Sequence, residues 1–467
     1  MILTAAPEIS AFRKLGKVIM QTDLLTRLTI TGGAFVFSLG VATSQTFTDA
    51  NWITLGSGMN DAVYALAISG SNVYAGGKFT TAGGTTVNRI ARWNGSTWSA
   101  LGSGMNDWVF ALAVSGSNLY AGGFFTTAGG TPANRIAKWN GSTWSALGTG
   151  ISGGSLPYVE ALAVSGTNLF VGGTFTTASF SSANNIARWN GITWSAMGSG
   201  MNNSVHALTI FGGQLYAGGS FNTAGSTANY IARWDGSSWA PLGTGMGGIP
   251  YSSGGSPVYA MTVAGSNLYA GGLFTSAGSV GANSIARWSG SSWSALGLGV
   301  DAGASRLPSV YCLCANGNEV FAGGDFTNAF KQAIATPCNR IVKWDESWSP
   351  LGSGMNASVR ALTASDGNLY VGGSFTNAGG NAVGYVARGI LNERAILSFR
   401  SDRPASNSTT LVFAGIPSNS YTVEFSTNLS TNLWHPFSTN LVPASGRATV
   451  LDTTATNDQR FYRIGAP

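Results

Sequence analysis

Charged side chains are scarce in this sequence: Asp, Glu, Lys and Arg make up only 9% of its 467 residues. A chain this poor in Glu and Lys is not built from solvated helices, which draw on those residues together with Ala and Leu. No run of Lys or Arg occurs, so the net charge of +6 is dispersed and nucleic acid is not an expected partner. Histidine is rarer still. His206 and His435 are the whole supply, so neither a metal site nor a redox cofactor is expected. Cysteine occurs three times, at Cys312, Cys314 and Cys338, too seldom for a disulfide scaffold and in a chain too long to need one. Cys312 and Cys314 share one strand face and read as small packed hydrophobes; a bond from one of them to Cys338 is the alternative.

Long apolar runs are equally scarce. One lies near the start, Leu28 to Val41, preceded by Arg27 and followed by Ala42-Thr43-Ser44. Its core is shorter than the roughly 20 residues a spanning helix needs. The small residues at 42 and 44 suit cleavage before Gln45, so residues 1–44 read as a signal peptide, with Met20 a possible true start. The expectation is a protein secreted or held at the cell surface, with no membrane span after cleavage; an uncleaved anchor is the alternative.

What the chain has in quantity is glycine, 66 residues, and tryptophan, 15 residues. Both are periodic. Val63–Gly84 (VYALAISGSNVYAGGKFTTAGG) returns as Val109–Gly130 (VFALAVSGSNLYAGGFFTTAGG). With the Ala-Leu step as marker, seven copies stand at Ala65, Ala111, Ala161, Ala207, Ala260, Cys312 and Ala361, spaced by 46, 50, 46, 53, 52 and 49 residues. Periods of about 40–50 residues with four strands each mark a β-propeller.

Each copy reads as four strands, a to d. In the second copy these are Val109–Ser115, Leu119–Phe125, Arg135–Trp139 and Thr143–Leu147, with Asn140-Gly141 between c and d as a hairpin signal. The paired glycines of strand b imply a close approach, expected from a bulky ring on the neighbouring strand or blade. Period-two geometry puts Trp139 and Trp144 on one face, and the pairs 93/98, 189/194, 234/239, 288/293 and 344/348 repeat this. Strands a, b and c occur seven times, whereas only six d strands follow a c strand. The missing one is Asn51–Leu55, so the N-terminal strand is expected to complete the last blade and close the ring.

The Gly-Gly pair, the spaced aromatics and Trp-x-x-Leu resemble the kelch repeat. The wording LYAGGxFTTAGG…NxIARWNGSTWSALGSGMN is similar to a kelch-like repeat of large secreted bacterial proteins and of fungal cortical polarity-marker ectodomains. The resemblance covers residues 51–388 and implies a seven-bladed propeller that serves as a binding module. It departs from ordinary kelch in the Trp at the usual Tyr position. Copper oxidases of kelch type use two His ligands at the propeller, which this chain cannot supply.

Residues 397–467 read as short strands separated by turns, a small β-sandwich. The stretches Gly415–Leu429 and Gln459–Arg463 resemble a C-terminal accessory domain of secreted bacterial proteins, which implies a fibronectin-type-III-like module. The expected architecture is therefore all-β: a signal peptide at 1–44, a seven-bladed propeller at 45–389 closed by an N-terminal strand, a linker at 390–396 and a sandwich at 397–467.

No catalytic constellation is recognisable. Acidic residues are spread over different blades (Asp61, Asp107, Glu160, Asp301, Glu319, Asp325, Asp366), and His206 occupies the position of Tyr64 and Phe110 in other copies, which suggests packing. A basic residue precedes each strand-c Trp or its equivalent (Arg92, Lys138, Arg188, Arg233, Arg287, Lys343, Arg388), and repeat-invariance favours a structural role. The copies differ in their d-to-a connections, lengthened at Ile151–Tyr158, Met246–Pro257 and Val300–Pro308, and in the b-to-c connection Ala329–Pro337. These bring Tyr158, Tyr251, Arg306 and Phe330 to one face as candidate ligand-binding residues on a rim. The expected function is noncatalytic binding of an extracellular protein or polysaccharide by a monomer. The alternatives are a structural adhesion protein and a carbohydrate-active enzyme, glycosidase or lyase.

Overall fold

The computed structural model describes residues 24–31, 34–41, 47–248, 255–302, 308–331, 334–365 and 367–391, together with six strands between Ser398 and Gly465. Two compact units result, one of Phe47–Leu391 and one that joins Met1–Thr46 to Asn392–Pro467.

Within the first unit the described residues form seven four-stranded antiparallel sheets, each meandering from an inner strand outward. Their inner strands are Val63–Ser69, Val109–Ser115, Tyr158–Ser165, Val205–Phe211, Val258–Ala264, Ser309–Asn316 and Val359–Ser365, called here sheets 1 to 7. Six sheets use consecutive strands. Sheet 7 runs Val359–Ser365, Asn368–Gly373 and Val386–Ile390, and its outer strand is Trp52–Thr54, with Trp52 opposite Gly389. Each inner strand neighbours the next, and that of sheet 7 neighbours that of sheet 1.

Tryptophan explains how the sheets adhere. The third and outer strands pair Trp with Trp across a connection of four residues (three in sheet 6), with ring centroids 4.7–5.3 Å apart. The Asn94 side chain caps the first such turn by accepting from the N–H groups of Ser96 and Thr97, while Gly95 takes φ 101°. The outer-strand indole then reaches the preceding sheet. Trp98, Trp144, Trp194, Trp239, Trp293 and Trp348 donate to the carbonyls of Leu55, Leu101, Leu147, Met197, Leu242 and Leu296 at 2.8–3.1 Å. Trp52 does the same to Leu351 at 3.1 Å, so the N-terminal strand repeats the bond that every other sheet makes.

The paired glycines answer a different demand from the one expected. No ring from a neighbouring strand or blade is the nearest group to any of them. A Cβ on the first, Gly76, would lie 2.5 Å from Cγ1 of Val109 on the next sheet, and one on the second, Gly77, would strike the Ala62 carbonyl of its own sheet. The same two collisions recur in every sheet, ending with Gly372 against Val63.

The lengthened d-to-a connections are partly ordered as strands. Ile151–Ser152, Met246–Gly247 and Gly299–Asp301 each join the short b-to-c hairpin of their sheet as a third strand. The three cysteines are free and buried.

In the second unit Leu24–Thr31 pairs with Ala34–Val41 in a hairpin that includes most of the apolar stretch Leu28–Val41. The C-terminal strands form two three-stranded antiparallel sheets, Ser398–Arg400, Thr409–Ala414 and Arg447–Asp452 in one, and His435–Leu441, Ser420–Ser426 and Phe461–Gly465 in the other. Val450 of the first and Val423 of the second are buried. Among the described residues no helix is long and apolar enough to cross a membrane.

Candidate functional site

The register of every inner strand skips one residue between its first Val and the Ala or Cys two positions on. A bulge leaves that intervening residue unpaired and turns its side chain away from the pleat. The seven residues so released are Tyr64, Phe110, Glu160, His206, Tyr259, Tyr311 and Arg360, all half-buried. Their immediate neighbours are nearly constant (Val before, Ala or Cys after), so a variable side chain stands in a fixed local frame.

These side chains touch from sheet to sheet. Tyr64 and Phe110 lie 5.6 Å apart between centroids, His206 and Tyr259 5.4 Å, Tyr259 and Tyr311 5.6 Å. The Arg360 guanidinium sits over the Tyr311 ring at 4.0 Å. Glu160 Oε2 lies 2.7 Å from His206 Nδ1, and His206 Nε2 lies 2.8 Å from Ser220 Oγ. Burial pushes the phenols of Tyr64 and Tyr259 above their ordinary value; Arg360 opposes this at both, and Glu160 and Tyr311 add to it at Tyr259. Both hydroxyls therefore stay protonated at neutral pH and can donate.

A second tier surrounds this ring on the side of the d-to-a connections. Trp108 stands edge-on to Tyr64 and Phe110, with the Lys78 ammonium 5.0 Å above its ring. Seven residues that precede the third strands occupy left-handed backbone, Arg89, Arg135, Asn185, Tyr230, Ser284, Arg340 and Tyr385, at φ 62–71°. For non-glycine residues such a conformation costs about 1–2 kcal/mol each. Several of them reach along the rim: Arg135 to the Pro157 carbonyl, Asn185 to that of Met201, Ser284 to that of Pro308 and Arg340 to Asp325.

The rim candidates fare unevenly. Tyr158 is not a loop residue: it opens the inner strand of sheet 3, stacks on Phe124 at 5.7 Å and 16°, and its hydroxyl bonds Thr174 and Ser204. It supports the ring and meets Phe110 edge-on at 5.9 Å. Phe330 lies in the strand Asn328–Lys331, paired with Gly299 and Ala335 and half-buried, because the altered connection of sheet 6 is itself a small sheet. Tyr251 and Arg306 lie outside the described residues. The exposed large apolar side chains on these connections are Leu156 at 58% and Ile334 at 72%, and Phe180 on the b-to-c turn of sheet 3 is 91% exposed.

The repeat-invariant basic residues are not part of the ring. Arg92 lies opposite Tyr74 and Ser99 in its sheet, and Lys343 binds Glu319 at 2.7 Å. Asp61 and Asp107 accept from the next backbone N–H, as turn residues do. Elsewhere a shallow cleft of about 350 Å³ lies between sheets 1 and 2, lined by Thr80, Asn88, Met105 and Asn106, but Asn88 and Asn106 already bond across it.

A family model described as "Domain of unknown function (DUF5122) beta-propeller" matches residues 364–388, from the end of the sheet 7 inner strand into its third strand. The fold is a β-propeller. No curated protein matches the chain. Among solved structures, the computationally designed Ika8 protein is similar at 17% identity, over 72% of this chain and 99% of that one, with a TM-score of 0.42. The β-propeller domain of the Trilobed protease from Pyrococcus furiosus is similar at 9% identity, over 67% of this chain and 90% of that one, with a TM-score of 0.35.

The bulge ring was missed in the sequence because each of its members taken alone looks like a packing residue. Its signal is a single column of the repeat, Val-x-Ala, whose middle position reads Tyr, Phe, Glu, His, Tyr, Tyr, Arg between near-constant neighbours. In this propeller the variable column and the seven bulges coincide.

Proposed function

We propose that this chain is a seven-bladed, kelch-like propeller closed by its N-terminal strand, joined to a fibronectin-type-III-like sandwich. We further propose that it works outside the cell as a noncatalytic binding protein whose ligand enters the bulge ring. Closure is supported by the Trp52 bond to Leu351 and by Gly372 meeting Val63. Binding is supported by one observation above the rest: the column that seven bulges turn out of the sheets varies between near-constant neighbours. Variable, half-buried side chains in a rigid frame are what a binding surface needs. Export rests on the apolar segment before Gln45.

The test is a glycan array combined with capture from a cell envelope, run with wild type and with Phe110→Ala/Tyr259→Ala. Loss of the captured ligand with the double variant still folded supports the reading; equal capture by both places the ligand elsewhere and refutes it.

A second reading, a carbohydrate-active enzyme, is favoured by the chain Glu160–His206–Ser220, in which a carboxylate orients an imidazole against a hydroxyl. Against acyl transfer, the N–H groups of Gly219 and Ser220 are already donated to Tyr230 and Ser204, so neither can stabilise an oxyanion. Turnover of a polysaccharide panel that disappears in His206→Gln would establish the enzyme; no turnover leaves binding as the function.

A further inference from the structure

Arg360 is the member of the ring whose needs the protein leaves unmet. Its Nε is buried with no hydrogen-bond partner, and among the described residues no carboxylate comes within ion-pair distance of its guanidinium. Arg89 and Arg340 also have a buried Nε without a hydrogen bond, but Arg89 donates through Nη1 to the Lys78 carbonyl and Arg340 Nε lies 3.5 Å from Asp325, while Arg135 donates to the Pro157 carbonyl. A buried Nε–H without an acceptor is costly, and stacking on Tyr311 satisfies the guanidinium face but not that N–H. Nor does the fold require a cation here. The equivalent positions of the other blades carry Tyr, Phe, Glu or His with the same bulge and the same flanking Val.

What surrounds Arg360 is suited to an anion and to flat polar rings. Tyr311 lies beneath it, and its charge is felt at the hydroxyls of Tyr64 and Tyr259, so the nearest groups are donors that carry no charge of their own. In a ring of seven, position seven faces the edge between positions three and four. There Glu160, His206 and Ser220 form the hydrogen-bonded wall, with Phe110 and Tyr64 on one flank and Tyr259 and Tyr311 on the other. The rim adds hydroxyls at Thr174, Ser204 and Ser220.

We propose that the ring binds a carboxylate-bearing polysaccharide, a uronate sugar whose carboxylate pairs with Arg360, whose ring faces lie on the Tyr and Phe side chains, and whose hydroxyls meet the Glu160–His206–Ser220 wall. This rests on the bulge ring being the binding site. A sugar is favoured over an acidic peptide because the ring offers aromatic faces and hydroxyls, which suit the C–H faces and hydroxyl groups of a sugar. Arg is the residue type whose planar fork matches a carboxylate with two parallel hydrogen bonds.

The probes are oligogalacturonate and its fully methyl-esterified form, which keeps the sugar and removes the charge, titrated calorimetrically at low and moderate salt. Wild type should bind the acid form about 10- to 100-fold more tightly than the ester, the range expected for a charge-assisted hydrogen bond. Arg360→Met should erase that preference and leave ester binding unchanged, while Arg360→Lys restores part of it. The comparison of acid with ester in the wild type stands even if Arg360→Met fails to fold. Equal binding of both forms, lost in Phe110→Ala, overturns the uronate assignment while sustaining the binding site. Binding of either form that survives Phe110→Ala/Tyr259→Ala refutes the site itself. Capture of polyglutamate in place of oligogalacturonate, dependent on Arg360, makes the occupant a protein and overturns the proposal, as does failure of the wild type to bind the acid form at millimolar concentration.

Discussion

Substitution of Gly372 by Ala probes the seam where the two ends of the repeat array meet. The added Cβ would sit 2.5 Å from Val63 Cγ1, whereas ordinary contacts fall at 3.4–4 Å, so Val63 must retreat by nearly 1 Å. Val63 is fully buried and has no space to move into. Overpacking of this kind costs about 1–3 kcal/mol. Loss of glycine's freedom in the unfolded chain offsets up to about 1 kcal/mol of that. Val63→Ala alone should cost about 2 kcal/mol for the methyl groups and the cavity left behind. Because it removes Cγ1, the nearer of the two Val63 atoms that Gly372→Ala strikes, and leaves Cβ at 2.9 Å, the double variant should be more stable than the sum of the singles by about 1 kcal/mol. Gly76→Ala with Val109→Ala makes the same pair between sheets 1 and 2 and serves as the control. Urea unfolding followed by tryptophan fluorescence reads all of these. Strict additivity at Gly372 and Val63, with coupling at Gly76 and Val109, would refute closure of sheet 7 onto sheet 1.

Trp52→Ala should destabilise by about 3–5 kcal/mol, because a buried indole is lost and the Leu351 carbonyl loses its donor; a midpoint shift no larger than that of a surface variant would contradict the outer-strand role. Tyr158→Ala should lower the urea midpoint clearly, since its ring stacks on Phe124 and its hydroxyl is bonded, whereas Phe180→Ala at 91% exposure should leave it unchanged. Burial pushes the Cys338 thiol from 9.0 up to about 12, and those of Cys312 and Cys314 upward as well. Between those values the unfolded chain holds fewer protons than the folded one, so stability should fall as pH rises from about 9 to 12. Cys338→Ala should flatten that slope, and native thiols should resist a thiol reagent at pH 8 until urea exposes them; prompt labelling would contradict their burial.

The repeat made the sheets legible because each strand has its own marker: Val-x-Ala-Leu for the inner one, Gly-Gly for the second, and a Trp for each of the last two. The pairing of Trp52–Thr54 with the last third strand followed from counting outer strands. The cause of the Gly-Gly pair was misjudged because sequence separation hides which atom approaches. Val109 lies on the next sheet and the Ala62 carbonyl stands just before the inner strand, and neither is a large residue that draws notice. The site was harder to read for a related reason. A bulge is a fault in register between two strands, so nothing in one strand announces it, and Glu160, His206 and Ser220 stand 46 and 14 residues apart before the sheets bring them together. Loop length did not show the local structure: the lengthened connections of sheets 3, 5 and 6 extend small hairpins, and Tyr158 belongs to a strand.

Hydrogen–deuterium exchange with and without oligogalacturonate tests most directly whether the bulge ring is a binding site. Bound ligand should protect the starts of the inner strands, around Tyr64, Phe110, Glu160, His206, Tyr259, Tyr311 and Arg360, because those backbones frame the ring. The Trp-Trp hairpins such as Trp139–Trp144, at the outer end of each sheet, should exchange at the same rate in both states. Protection centred on those hairpins or on the C-terminal sheets, or no protection anywhere at saturating ligand, would contradict the account.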